Sequence, residues 1–250
     1  MSSEPRPSSL YREQGVVLRT HKLGEADRIL VVMTQGNGKV RAVAKGVRKT
    51  TSRFGGRLEP FSHVDLSLYK GRNLDIVTQA ELVDGFRHLR EDYDLVTAGA
   101  AMLEAVDQVA EDGEPAVRLF LLLVRGLRVM DAGPPDPSIV LDAFLLKLLA
   151  VEGYKPALAE CTACRKPGPH IRFSSARGGA LCEDCRSGAE SSLDQATLPL
   201  LAELLDGDLG QAAAGPRPAP VPRREAGTIV RAFVEFHLDR RLRSYPLVAR

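Results

Sequence analysis

The chain predicts an α+β protein of several domains: a small five-stranded β-barrel, then a helical domain that a four-cysteine module interrupts. Three observations support this. Through the first eighty-odd residues, β-branched side chains recur in runs of five to eight bounded by Gly, Asn or Pro, as short strands require. From about Gly85 the apolar spacing changes from two to about three and a half, the period of an amphipathic helix. All four cysteines then fall between residues 155 and 190, where helical periodicity is lost.

The expected strands are Gln14–Thr20, Arg28–Gln35, Lys39–Val47, His63–Tyr69 and Leu74–Leu82. Gly36-Asn37-Gly38 joins the second to the third, since Gly and Asn accept the positive φ of a tight hairpin. Five strands in about seventy residues suit a barrel, whose closure removes the edges a small sheet would expose.

Leu89, Tyr93, Val96, Ala100, Leu103 and Val106 share one face of a first helix. A second follows Pro115 through Val117, Phe120, Val124 and Leu127 and stops near Gly133-Pro134-Pro135. The third, Ser138–Val151, is apolar nearly all round, like a helix at the centre of a bundle, with Gly153 as its cap. Its 14 positions include Asp142 and Lys147, so it falls short of the roughly 20 apolar residues that span a membrane. Periodicity resumes at Leu198–Leu205 and Ile229–Leu242, and Gly210–Pro222 between them, rich in Ala, Pro and Gly, predicts a loop of polyproline character. The opening MSSEPRPSS lacks the apolar region of a signal peptide and predicts a disordered leader on a cytoplasmic protein. The expected divisions are a leader at 1–9, a barrel at 10–84, helical segments at 85–156 and 189–250, and a cysteine module at 157–188.

The 250 residues are 44% hydrophobic and 26% charged, enough for one large domain or two to three small ones. A net charge of +2 conceals an uneven distribution. Residues 1–80 carry 14 Lys/Arg against 7 Asp/Glu, residues 81–160 carry 7 against 15, and residues 161–250 carry 13 against 10. Basic ends suit a polyanion, and the acidic middle suits another partner or solvent.

Cys161-Thr162-Ala163-Cys164 and Cys182-Glu183-Asp184-Cys185 are two Cys-x-x-Cys pairs separated by seventeen residues, within the spacing of a tetrathiolate zinc site. Ile171, Phe173 and Gly178-Gly179 predict a hairpin that brings the pairs together. Four thiolates fill the coordination sphere of one zinc per chain, so the metal is expected to be structural. No His-x-Glu, phosphate loop, Gly-x-Ser-x-Gly elbow or His-Glu-x-x-His helix occurs, and the five histidines form no constellation, so no enzyme is expected.

Lys39, Arg41, Lys45, Arg48, Lys49, Arg53 and Arg57 fall between Lys39 and Leu58 with no acidic residue among them. Seven cations in twenty positions, at a strand end and in the loop after it, predict a track for a phosphate backbone. Phe54 lies within this loop, either stacking on an unpaired base or plugging the barrel. Arg240, Arg241 and Arg243 are expected to close the last helix and offset its dipole. Arg165, Lys166 and Arg186 beside the cysteines, like Arg223-Arg224, suit either nucleic acid or solvent.

Leu23-Gly24-Glu25-Ala26-Asp27-Arg28, Gly38-Lys39-Val40-Arg41-Ala42-Val43-Ala44-Lys45-Gly46-Val47-Arg48-Lys49, Arg53-Phe54-Gly55 and Leu58-Glu59-Pro60-Phe61 resemble, in order and spacing, the RecO family of DNA repair proteins. The resemblance covers nearly the whole chain, including the Phe173-Ser174 and Gly178-Gly179 approach to Cys182. It implies an OB-fold barrel, a helical domain and the four-cysteine zinc module of many members. It also implies a non-enzymatic, nucleoid-associated recombination mediator that binds single- and double-stranded DNA and anneals complementary strands. With RecR, such a mediator helps RecA displace single-stranded DNA-binding protein (SSB). The family's DNA-binding cations map onto Lys39, Arg41, Lys45, Arg48, Lys49 and Arg53. Glu25 and Asp27 match its signature, and before a strand they are expected to cap turns. The resemblance further implies an apolar groove on the helical domain for the acidic, aromatic-ended SSB tail, with cations from Arg87, Arg90, Arg118, Arg125, Arg128 or the C-terminal arginines. The alternative is a nucleic-acid-binding zinc-ribbon regulator of transcription or translation.

Overall fold

A computed structural model describes residues 10–188 and 190–248, so the expected leader lies outside the described residues. The chain divides into two compact units, one of the residues up to Phe86 together with Ala110–Val124, the other of Arg87–Val109 together with Arg125 onward.

In the first unit β1 (Leu10–Leu23), β2 (Asp27–Thr34), β3 (Lys39–Ala44), β4 (His63–Tyr69) and β5 (Asp75–Asp84) form a closed barrel in the order β1-β2-β3-β5-β4. Neighbours pair antiparallel except β3 and β5, which meet in parallel at Ala42↔Asp75 and Val43↔Ile76. The 14 residues of β1 serve two partners, β4 along the first half and β2 along the second, with a register shift between Val17 and Arg19. Such a bulge bends a strand enough for it to turn the corner of a barrel. In the β2–β3 hairpin the backbone N–H and hydroxyl of Thr34 both donate to the Gly38 carbonyl, at 2.7 and 2.8 Å.

Alternation along β3 turns Val40, Ala42 and Ala44 inward and Arg41 outward. The barrel core joins them to Val17, Leu30, Val32, Val64, Leu66, Leu68 and Val77. After Ala44 the chain leaves the sheet, and a 3₁₀ turn at Gly55–Leu58 returns Leu58, with the preceding Phe54, to this core; both are 1% exposed. Ala110–Val124 groups with the barrel in the first unit. Lys39 N–H donates to the Glu111 carbonyl and Gly113 N–H to the Lys39 carbonyl, at 3.1 and 3.0 Å. Phe120 lies edge-on to His63 at 5.8 Å between ring centres.

In the second unit the first expected helix is two, α1 (Arg87–Glu91) and α2 (Tyr93–Val109), because the Asp92 carboxylate accepts from the N–H groups of Asp94 and Leu95 and starts a new N-terminus. α3 (Val117–Asp131) contributes its residues from Arg125 onward to this unit, and α4 (Pro137–Val151) is the central helix. Asp136 caps α4 by accepting from Ser138 and Ile139, with Pro137 in the first turn where its missing N–H costs nothing. α2, α5 (Thr197–Asp206), α6 (Leu209–Ala214) and α7 (Pro220–Leu238) pack around it.

Both charges inside α4 are satisfied. Asp142, fully buried, accepts from Arg223 at 2.6 Å and from the Tyr245 hydroxyl at 2.8 Å. The Lys147 ammonium donates to the carbonyls of Leu205 and Gly207, neutralising the negative end of α5.

Two expectations are corrected. The segment 210–222 is not a polyproline loop throughout: a capping box between Asp208 and Gln211 starts α6 through the alanine run, and Pro220 opens α7. Arg240, Arg241 and Arg243 do not close a helix either, because α7 ends at Leu238 and Asp239 turns left-handed with φ 50°. Arg243 N–H instead donates to the Glu104 carboxylate at 2.8 Å.

Candidate nucleic-acid interface and metal centre

The basic residues of the first unit differ in how far they are free to act. Lys45 and Lys49 stand exposed in the loop after β3. Arg48 is exposed too and donates to the carbonyls of Gly24 and Glu25 at 3.3 and 3.0 Å, holding the β1–β2 loop beside it. The Asp27 carboxylate completes this staple by accepting from Gly46 N–H at 2.7 Å, the turn-capping role expected of it. Arg53 lies over the Phe54 ring at 4.8 Å, and Arg57 donates to the Ala80 carbonyl at 3.2 Å.

Lys39, Arg41 and Phe54 stand otherwise. The Phe54 ring belongs to the barrel core, the plugging role of the two open to it: the left-handed Gly55, φ 53°, turns the chain so that ring and Leu58 fill the same interior. Lys39 has a side chain only 11% exposed, with its ammonium 3.9 Å from Asp112. Arg41, half exposed, holds the same carboxylate at 3.1 Å. An acidic loop, Glu111-Asp112-Gly113-Glu114, thus lies along β3 and occupies two cations of the predicted track. Gly38 permits the approach, since at φ +57° a Cβ there would lie 1.8 Å from the Glu114 carbonyl oxygen. Sequence reasoning missed this pairing, whose one visible sign is the Asp112-Gly113 turn signal opposite Gly38.

The four cysteines converge in the second unit. The predicted hairpin is present as β6 (Phe173–Ser174) against β7 (Gly179–Ala180). Gly179 is needed because Ala157 approaches so closely that a Cβ would lie 2.1 Å from its carbonyl oxygen. Arg165, at φ 64°, donates its N–H to the Cys161 carbonyl and closes a knuckle around the first pair, while a 3₁₀ turn at Glu183–Cys185 presents the second. Thr162 N–H donates to the Ala180 carbonyl at 2.9 Å and ties the halves together.

All four sulfurs lie within 4.8 Å of one another, with Cys164 and Cys182 at 3.7 Å. A tetrahedral metal with bonds of about 2.3 Å requires sulfurs about 3.8 Å apart, whereas a disulfide requires about 2.0 Å. The set therefore fits a single metal ion. The N–H of Cys182, directed at Cys161, helps bring that thiol down to about 6. Cys185, hydrogen-bonded to Cys182 and facing its other sulfur neighbours, is pushed up to about 12. The Cys161 thiol thus yields its proton more readily than that of Cys185, and a metal binding here must displace the proton from Cys185. The cations beside the cysteines are engaged locally: Arg165 by Glu160 at 2.8 Å, Lys166 by Asp184 at 3.5 Å and Arg186 by Glu183 at 2.9 Å.

A closed five-stranded barrel with a basic loop, followed in the chain by a helical unit whose four cysteines could hold a metal ion, has the features of a multidomain protein with a metal module and a surface suited to a polyanion. Comparison with known proteins is specific. Residues 8–86 match the family Recombination protein O N terminal, and residues 90–246 match Recombination protein O C terminal. The DNA repair protein RecO of Nocardioides sp. is 52% identical over 246 residues, covering 96% of this chain and 100% of that protein. The DNA repair protein RecO of Thermobifida fusca is 48% identical, covering 97% and 99%. That of Streptomyces coelicolor is 48% identical, covering 94% and 97%. The chain belongs to the RecO family, and hence to DNA repair and recombination. Among the described residues, no helix is long and apolar enough to cross a membrane.

Proposed function

We propose that this chain is a non-enzymatic recombination mediator that anneals complementary DNA strands and, with RecR, promotes RecA loading onto SSB-coated single strands. The observation that carries it is the acid-free run of exposed cations after β3, on an OB-type barrel of the RecO family. Lys45, Arg48, Lys49 and Arg53 hold DNA there through phosphates, so binding is insensitive to sequence. Arg57 and Lys39 support the loop and hairpin, and Arg41 joins the track when Asp112 releases it.

The metal is zinc, the usual ion of a four-thiolate tetrahedron, and with no open position it acts structurally. When bound, it ties the two Cys-x-x-Cys halves into one rigid module.

For the acidic tail of SSB, the cavity of about 550 Å³ beside α3 and α6 supplies apolar walls at Val129, Ala132, Pro134 and Pro135 and cations at Arg125 and Arg128. Both arginines lie on α3, within the set that the resemblance implied.

Annealing of SSB-coated complementary oligonucleotides, with and without RecR, tests the function. Changing Arg48 and Lys49 to Ala is expected to slow annealing and to make the log–log salt slope of single-strand binding shallower by about 1.4. Sequence-specific binding with no annealing would instead favour a regulator.

A further inference from the structure

Aromatic residues are only 5% of the chain, yet a continuous series of rings runs from the metal module to the surface of the second unit. Phe173 of β6 packs edge-on to Phe233 of α7 at 5.5 Å, and Phe233 packs edge-on to His237 at 4.4 Å. His237 in turn carries Tyr154 at 4.5 Å and Phe236 at 5.2 Å. The inner ring, Phe233, is buried, but Tyr154 is 45% and Phe236 53% exposed. The Nε2 of His237 is buried without a partner, and the exposed part of the cluster is contributed by Tyr154 and Phe236.

Cations follow Phe236 closely along the chain. Just past α7, Arg240 and Arg241 are exposed, and no carboxylate pairs with either among the described residues. Of the acids close in sequence, Glu235 is held by Arg231 at 3.0 Å, Asp239 lies in the helix-ending turn, and Glu152 lies two residues before Tyr154. The cysteine module differs, because its cations are already paired. Exposed rings anchored on a rigid support, with unpaired guanidiniums a few residues away, are the two components that hold a single strand: π-faces for bases and cations for phosphates.

We propose that Tyr154 and Phe236 form a stacking platform for unpaired bases of single-stranded DNA, with Arg240 and Arg241 taking the adjoining phosphates. This rests on the DNA-binding function proposed above and adds to it a second site, on the helical unit. Duplex DNA, whose bases are stacked on one another, does not use it.

The chain contains no tryptophan, so Phe236→Trp introduces a sole indole reporter at the platform. Titration of the full-length variant with oligo-dT is expected to quench its emission along the same isotherm as binding, and titration with a blunt duplex to leave the emission unchanged. Tyr154→Ala and Phe236→Ala are each expected to weaken oligo-dT binding about five- to hundredfold, with unchanged salt slope, melting temperature and duplex affinity. Arg240→Ala with Arg241→Ala makes the slope shallower by about 1.4. Unquenched emission at saturating oligo-dT, or unchanged affinity in both alanine variants, overturns the platform while leaving DNA binding at the barrel intact. Failure of the unsubstituted protein to bind oligo-dT overturns both.

Discussion

Asp112→Asn tests whether the acidic loop screens the DNA track. The carboxylate lies 3.1 Å from the Arg41 guanidinium, and both side chains are about half exposed. An ion pair so hydrated stabilises by about 0–1 kcal/mol. A phosphate competing for Arg41 must displace it, so removing the charge is expected to raise affinity by at most about fivefold at low salt. The larger signature is in the ionic-strength dependence. One more phosphate contact steepens the log–log slope on single strands by about 0.7.

Asparagine leaves the backbone anchoring intact, since Glu111 and Gly113 bond to Lys39 through main-chain atoms. The acidic loop therefore stays on β3 and only its charge changes. Lys39, with 11% of its side chain exposed, is not expected to respond. The assay is fluorescence anisotropy with oligo-dT at several salt concentrations, completed as a double-mutant cycle with Arg41→Ala. Alone, Arg41→Ala has little effect; combined with Asp112→Asn it abolishes the gain. An unchanged slope in Asp112→Asn, or a gain that survives Arg41→Ala, refutes the screening.

Phe54→Ala removes a ring 1% exposed in the barrel core and is expected to cost about 3–5 kcal/mol, so that any loss of DNA binding follows the melting curve. Cys164→Ser and Cys182→Ser should each lower metal content from one per chain and reduce thermal stability, read by elemental analysis and melting. Metal affinity is also expected to fall as pH drops throughout pH 8–5, because protons compete for thiolates such as Cys185, and to fall more steeply below about 6, where Cys161 takes up a proton as well; competition with a chelator across this range measures it. Arg223→Ala leaves Asp142 buried without its guanidinium and should destabilise by about 3–5 kcal/mol in chemical denaturation.

Elements whose signal is local were legible in the sequence. His63–Tyr69 alternates against a core and is bounded by turns, and β4 has those limits. Gly36-Asn37-Gly38 makes the predicted hairpin, and the Cys-x-x-Cys pairs meet around the predicted β6–β7 turn. What periodicity does not encode is which distant group satisfies a charge. Asp142 and Lys147 look like interruptions of an apolar helix, but Arg223, Tyr245 and two carbonyls at the end of α5 make burial tolerable for both. The proline-rich stretch misled for a related reason. Proline disrupts a helix interior but suits its first turn, and only the tertiary path decides which of these Pro220 occupies.

The same limit governs the basic track. Counting charge from Lys39 to Arg57 finds seven cations without an acid, which is correct as sequence and incomplete as a surface. Asp112 lies far along the chain and reaches Arg41 because Gly38 lets the acidic loop settle on β3. The acidic middle of the chain is thus not only a surface for another partner or for solvent, since part of it folds onto the barrel and pairs with the first cations of the basic run. This divides the basic residues into an inner group held at the hairpin and an outer group, Lys45, Arg48, Lys49 and Arg53, standing in the loop. On the proposed reading, a phosphate backbone that enters at the outer group would meet Asp112 when it extends toward Arg41, and the carboxylate would set how far along β3 a strand binds. An annealing protein must hold a strand firmly enough to pair it and loosely enough to release the duplex. If the chain anneals strands as proposed, a displaceable carboxylate at one end of the track would be a physical means of setting that balance.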